Sequence, residues 1–208
     1  MLQACRLAGR LCLAALTLIV TVPERTSPAA QRVPRRVPVN VAANPISTLF
    51  AALSVCRDAL PERDRWRIAG VIHQQSQRYG YDPLFVLALI EVESSCVPEA
   101  RGRQGAVGLI QVKPSTAQAM ADDAGVRWHG PASLTRPLVN VQLGLHYLAH
   151  LERRFRDPRV AIAAYNLGPR RVSRMPRYRA RRTTYVRKVL ARYDALLLEH
   201  TDTPPRVS

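Results

Sequence analysis

Two glutamates, Glu91 and Glu93, close an otherwise apolar stretch that begins at Leu84. Carboxylates on such a segment are costly to bury unless they are hydrogen-bonded or used in chemistry. On a helix the two lie about 200° apart, so they do not form a facing acid pair. Glu93 continues the face of Val86, Leu89 and Ile90. Its carboxyl is therefore expected to be partly desolvated, with a pKa raised toward the range of a general acid. Glu91 stays open as the second candidate, and two solvated glutamates at a surface helix end are the structural alternative.

Other reactive residue types give weaker patterns. Cys56 and Cys96 are the two cysteines outside the N-terminal segment. In an oxidising compartment they are a disulfide candidate closing a loop of about 40 residues; two buried thiols are the alternative. The five histidines, His73, His129, His146, His150 and His200, show no ligand spacing with cysteines or acids, so neither a metal nor a cofactor is expected. An arginine cluster follows Gly168: Arg170, Arg171, Arg174, Arg177, Arg179, Arg181 and Arg182. Only Tyr178 lies among them, which is too little aromatic interleaving for single-stranded nucleic acid. An anionic envelope polymer or lipid head group is the better partner, and a solvated face is the alternative.

The elements that must position these residues read as helices. The chain has 208 residues, 47% apolar and 22% charged, enough for one core with extensions and too apolar for disorder throughout. Its net charge of +16 favours an anionic partner, although the arginine bias with abundant Ala and Pro is also the mark of a GC-rich genome. Arg6 and Arg10 precede the apolar run Leu11 to Val22. That run fits the h-region of an export signal and falls short of the ~18–20 residues that span a bilayer. Residues 1–22 are thus expected to be a signal peptide or a short anchor. Residues 23–45, with five prolines and with Arg32, Arg35 and Arg36, are expected to be an extended basic tether, and 201–208 a disordered tail. Either leader reading places the globular unit, 46–200, outside the cytoplasm.

Within that unit the hydrophobic period is helical and no hairpin signal appears. The spacing predicts helices over Ile46 to Leu60, Glu62 to Tyr79 with Gly80 as stop, and Pro83 to Ser95 with Asp82 as N-cap. Further helices are expected over Pro114 to Gly125, Pro137 to Phe155, Val160 to Leu167 and Thr183 to Glu199. The fold class is all-α.

The ordered blocks along this unit resemble a known family. Leu89-Ile90-Glu91-Val92-Glu93-Ser94 is followed by Gly105-Ala106-Val107-Gly108-Leu109-Ile110-Gln111 and Pro114-Ser115-Thr116-Ala117. Asn140-Val141-Gln142-Leu143-Gly144 comes next, then Ala163-Ala164-Tyr165-Asn166-Leu167-Gly168-Pro169 and Tyr185-Val186. In this order they resemble the soluble lytic transglycosylase catalytic domain, over about Arg67 to Val189. The resemblance implies a lysozyme-like fold and cleavage of peptidoglycan glycan strands, in the bacterial periplasm or cell envelope, by an expected monomer. Glu93 would be the catalytic acid between N-acetylmuramic acid and N-acetylglucosamine, then the base that closes a 1,6-anhydro ring. Substrate contacts would fall to Ser94, Gly108, Gln111, Tyr165 and Asn166, with Tyr147 and Tyr185 as cleft or core aromatics. Three positions depart from the usual pattern: Cys96 replaces an aromatic residue, Gly102 a serine, and Ile110 a methionine. A hydrolytic muramidase on the same fold, or a wall-binding domain without turnover, are the alternatives.

Overall fold

The structure is a computed structural model, and it describes residues 45–56, 60–102 and 104–201. The expected leader, residues 23–44 of the tether and residues 202–208 of the tail lie outside the described residues, whereas Pro45 and Thr201 belong to helices.

The helical period is realised throughout. Helix α1 spans Pro45–Ala52, α2 Glu62–Tyr79, α3 Pro83–Ser94 and α4 Pro114–Met120. Then come α5 Pro137–Phe155, α6 Pro158–Leu167, α7 Pro169–Ser173, α8 Arg177–Ala180 and α9 Thr184–Thr201. Two isolated bridges, Arg101 with Val107 and Val107 with Val112, are the only extended pairing among the described residues. No helix among them is long and apolar enough to cross a membrane.

Caps explain the boundaries that the sequence predicts well. Gly80 adopts φ 72°, the left-handed conformation that ends α2 after Tyr79. The Asp82 carboxylate accepts from the Leu84 amide at 2.7 Å, and Pro83 takes the first helical position of α3. Elsewhere the expectations need correction. The segment expected to be helical from Ile46 to Leu60 leaves the α conformation at Ala52 for a 3-10 turn, Leu53–Val55. Ser54 Oγ donates to the Ala51 carbonyl there, competing with helix continuation. The helix expected to reach Gly125 stops at Met120, because the Val126 amide donates back to Ala121 around Gly125 at φ 67°. Helix α6 starts two residues earlier than expected, where Asp157 accepts from the Arg159 and Val160 amides. The short helices α7 and α8 are additions.

α3 is the axis of the core. Leu84 to Ile90 are all at most 2% exposed, so no face of that segment meets water. α9 packs along it, α2 and α1 flank it, and α5 packs in turn against α2 and α6. Polar groups of α9 meet α3 at both ends: Tyr193 donates to Asp82 at 3.1 Å, and Arg192 donates to Glu91. The Cys56 and Cys96 sulfurs lie at bonding distance with Cα atoms 6.0 Å apart, linking the end of the first helical segment to the turn after α3.

Asp82 thus joins two helices through one carboxylate. Asp82→Ala removes the cap and leaves the Tyr193 hydroxyl without its acceptor. The expected loss is about 2–3 kcal/mol, read as a lower urea midpoint at unchanged m-value.

Candidate active site

α3 delivers Glu93 one turn beyond its fully buried stretch, where the helix begins to emerge. The carboxylates at its end have different fates. Glu91 receives two hydrogen bonds from the Arg192 guanidinium, from Nε and from Nη2, and forms an ion pair with it. The Glu91 carboxylate is thus committed to an ion pair that ties α3 to α9. Glu93 has no cation beside it. It accepts a single short hydrogen bond from the Tyr185 hydroxyl, contributed by α9. Burial pushes its pKa up from the ordinary value to about 7, and the Tyr185 bond offsets part of that rise. Glu93 therefore exchanges its proton near neutral pH.

The carboxyl faces a cleft with a volume of about 510 Å³, within the range of small-molecule sites. Gln111, Tyr147, Tyr165 and Asn166 line this cleft with it. Among its described lining residues Glu93 is the only acid. Tyr165 comes from α6 and donates its hydroxyl to the Ile110 carbonyl at 2.8 Å. Burial and the neighbouring Glu93 charge hold that hydroxyl well above its usual pKa, so it stays protonated. Tyr147 stands 5.6 Å from Tyr165, ring centre to ring centre, with His150 stacked on it. Asn166 is exposed at the cleft wall.

Other predicted contacts are placed differently. Ser94 Oγ donates to the Ile90 carbonyl of its own helix, 3.1 Å away, and does not line the cleft. Tyr185 is not a cleft wall either, because it lies behind Glu93 and acts on the carboxyl. Gly108 is not among the residues that line the cleft. A Cβ there would lie 2.2 Å from Asn140 Nδ2 and 2.3 Å from the Leu134 carbonyl, so the glycine permits packing inside the protein. Its φ of 87° also requires glycine.

The loop 105–112 is held by a residue to which the sequence assigns no role. Asn140, fully buried on α5, accepts from the Ile110 amide at 2.9 Å and donates to the Val107 carbonyl at 2.8 Å. Its place in the Asn140-Val141-Gln142 block is the signal that could have found it. Gln111, at φ 48°, uses Nε2 to reach the carbonyls of Gly108 and Ala100. Its Oε1 fills the space over residue 102, where an added Cβ would meet it at 2.4 Å. Glycine at 102 therefore does more than remove a hydroxyl: this Gln111 position excludes any side chain there.

The family model for the transglycosylase SLT domain matches residues 70–187. The chain belongs to the transglycosylase SLT family. Soluble lytic murein transglycosylase of Salmonella typhimurium is 34% identical over 90 residues, covering 42% of this chain and 14% of that protein. Lytic transglycosylase Slt of Pseudomonas aeruginosa, solved as an inactive mutant, is 26% identical with a TM-score of 0.57, over 77% of this chain and 29% of the other. The 70-kDa soluble lytic transglycosylase of Escherichia coli superposes with a TM-score of 0.59 at 21% identity, over 79% of this chain and 31% of that one, and shares the lysozyme-like all-α fold. The chain thus spans less than a third of the length of each of these relatives.

The raised pKa of Glu93 carries a stability consequence. Between the ordinary value of 4.5 and about 7 the folded state binds more protons than the unfolded one. Stability therefore falls as pH rises through that window, and the full cost of about 3 kcal/mol is present above it. Glu93→Gln keeps an acceptor for Tyr185 and removes the charge. It is expected to raise Tm by roughly 5–10 °C at pH 8 and to leave it unchanged at pH 4, as read by thermal unfolding.

Proposed function

We propose that this chain is an exported peptidoglycan lytic transglycosylase in which Glu93 acts first as acid and then as base. The observation that carries the reading is a lone, desolvated carboxyl with a pKa of about 7 at the wall of a cleft within an SLT domain. The lytic murein transglycosylases among its relatives supply the substrate class.

In the first step the Glu93 carboxyl proton passes to the glycosidic oxygen, and the bond from that oxygen to C1 of N-acetylmuramic acid breaks. The acetamido carbonyl oxygen of the same sugar bonds to C1 as the leaving group departs. Substrate assistance of this kind makes a nucleophilic carboxylate unnecessary. In the second step the Glu93 carboxylate takes the proton of the muramyl C6 hydroxyl. O6 then displaces the acetamido oxygen at C1, forming the 1,6-anhydro ring. The proton given in the first step is recovered in the second, and no water is consumed.

The described lining of the cleft offers no second carboxylate, so a two-carboxylate route has no partner for Glu93 there. A hydrolytic muramidase on the substrate-assisted route would use the same Glu93 carboxylate to activate water in place of the C6 hydroxyl, and the product distinguishes the two. Tyr165 and Asn166 are assigned to the sugar at the cleavage site, Tyr147 to a sugar face, and Gln111 to an acetamido group through its free oxygen. The Cys56–Cys96 pair is assigned as a disulfide, in keeping with export.

Mass spectrometry of digested sacculi tests the reading. The expected products are anhydro-muropeptides; reducing muropeptides would establish hydrolysis, and no soluble product would establish a binding domain. Glu93→Gln should lower kcat/KM by at least about 10²–10⁴, the usual range for a general acid.

The wild-type kcat/KM should fall as pH rises past about 7, where Glu93 loses its proton. Tyr185→Phe removes the hydrogen bond that lowers the Glu93 pKa, so this alkaline limb should move to higher pH while turnover drops. An unmoved limb in a folded Tyr185→Phe protein would separate Tyr185 from the acid.

A further inference from the structure

We propose that Lys113 and Arg171 make the cleft selective for glycan strands whose stem peptides carry free carboxylates. The inference rests on the glycan-cleaving reading above and deepens it. Both residues line the same cleft as Glu93, Lys113 at the start of α4 and Arg171 on α7. Neither charge is neutralised within the described residues. Lys113 Nζ donates to the neutral Gln104 Oε1 at 2.6 Å, and Arg171 is exposed without an ion pair. Glu93 does not compensate them, since its carboxyl exchanges its proton near neutral pH and is engaged by Tyr185.

Other arginines that follow Gly168 add positive charge nearby in sequence. Arg170, Arg174 and Arg182 are also exposed and free of ion pairs among the described residues. Their neighbours Arg177 and Arg181 are instead tied to Asp157 and anchor α8 to the start of α6. Of the seven arginines, Arg177 and Arg181 thus hold the fold, while the other five, including Arg171 in the cleft lining, have no ion pair among the described residues.

Neutral sugar rings can accept hydrogen bonds from these groups but carry no charge to balance them. The anions of a peptidoglycan strand are the carboxylates of the stem peptides, attached through the lactyl group of the muramyl ring that holds the cleaved bond. A cleft seating that ring brings its stem to the rim where Lys113 and Arg171 stand. Exposed charges act over about 10 Å at 0.1 M salt, so the preference must be salt-dependent.

The test compares three substrates: strands with free-carboxylate stems, strands with the same stems amidated, and strands stripped by an amidase. For the wild-type chain at low salt, kcat/KM should be roughly 5- to 20-fold higher on the carboxylate form than on the other two, and the ratio should approach one at 0.5 M salt. The double variant Lys113→Met and Arg171→Gln, checked for an unchanged Tm, should bring the low-salt ratio close to one.

Equal wild-type rates on carboxylate and amidated strands would overturn the proposal, as would a ratio that survives the double variant. Binding to phosphatidylglycerol vesicles that disappears in the double variant, alongside a wild-type ratio of one, would overturn it in favour of a membrane surface. Absence of product from all three substrates would instead defeat the underlying glycan-cleaving reading.

Discussion

A carboxyl kept from water beside a single hydroxyl is stable only if everything around it is fixed, and the arrangement of α3 and α9 meets that requirement for Glu93. Desolvation favours the protonated acid, and the Tyr185 hydroxyl favours the carboxylate. The two effects oppose each other and leave the group near neutrality. Both come from helix packing. The apolar cylinder from Leu84 to Ile90 excludes water up to the turn before Glu93, and α9 runs antiparallel to it. The same helix that presents Tyr185 to Glu93 presents Arg192 to Glu91 and Tyr193 to Asp82. Sliding α9 by one turn would break all three contacts together, so the acid's environment is tied to the register of the core.

The opposite wall of the cleft is positioned by close packing around α5. Asn140 bonds to backbone groups on both sides of Gly108, and the glycine leaves room for its amide. One turn further on, a Cβ on Gly144 would fall 2.1 Å from Ile110 Cδ1 and 2.8 Å from the Tyr165 hydroxyl. The absent side chain lets Ile110 and Tyr165 meet over α5, where the hydroxyl then bonds the Ile110 carbonyl. Isoleucine in place of the family's usual methionine is accommodated there because the space belongs to a glycine. Small residues of these blocks therefore serve mainly the shape of the protein's interior, as buried Asn140 does, while Gln111 faces the cleft.

Local chemistry decided which features could be read in the sequence. Helices α2, α3 and α5 carry their own boundary signals, in Gly80, Asp82-Pro83 and Pro137, and their ends follow from those residues. Helix α1 and the segment after Met120 lack such stops, and hydrophobic period alone extends them too far. Helices α7 and α8 have too few residues to show a period, and a run of arginines hides them. Glu93 was legible because a carboxyl on an apolar face is anomalous within one helix. Tyr185 was visible as an aromatic residue, but its role depends on a partner 92 positions away. Gly108 and Asn140 illustrate the same limit: each explains the other, and neither does so by itself. Of the three departures from the family pattern, Gly102 and Cys96 acquire meaning only beside Gln111 and Cys56.

On the proposed reading, one carboxyl must serve two steps with opposite demands. An acid much stronger than the substrate's leaving group needs would be ionised before cleavage, and a much weaker one would not take the C6 proton afterwards. A group near pH 7 serves both, since neither protonation state is strongly disfavoured. A cation placed against Glu93 would break this balance by favouring its ionised form. Two features keep cations away. The partner at Glu93 is a tyrosine whose own hydroxyl, buried beside the carboxyl, is held well above its usual pKa and remains a neutral donor. The cleft's cations sit on α7 and at the start of α4, where Lys113 is held by a neutral amide. A strongly basic chain can therefore carry an acid that is tuned by burial, because its positive charge is kept at the rim.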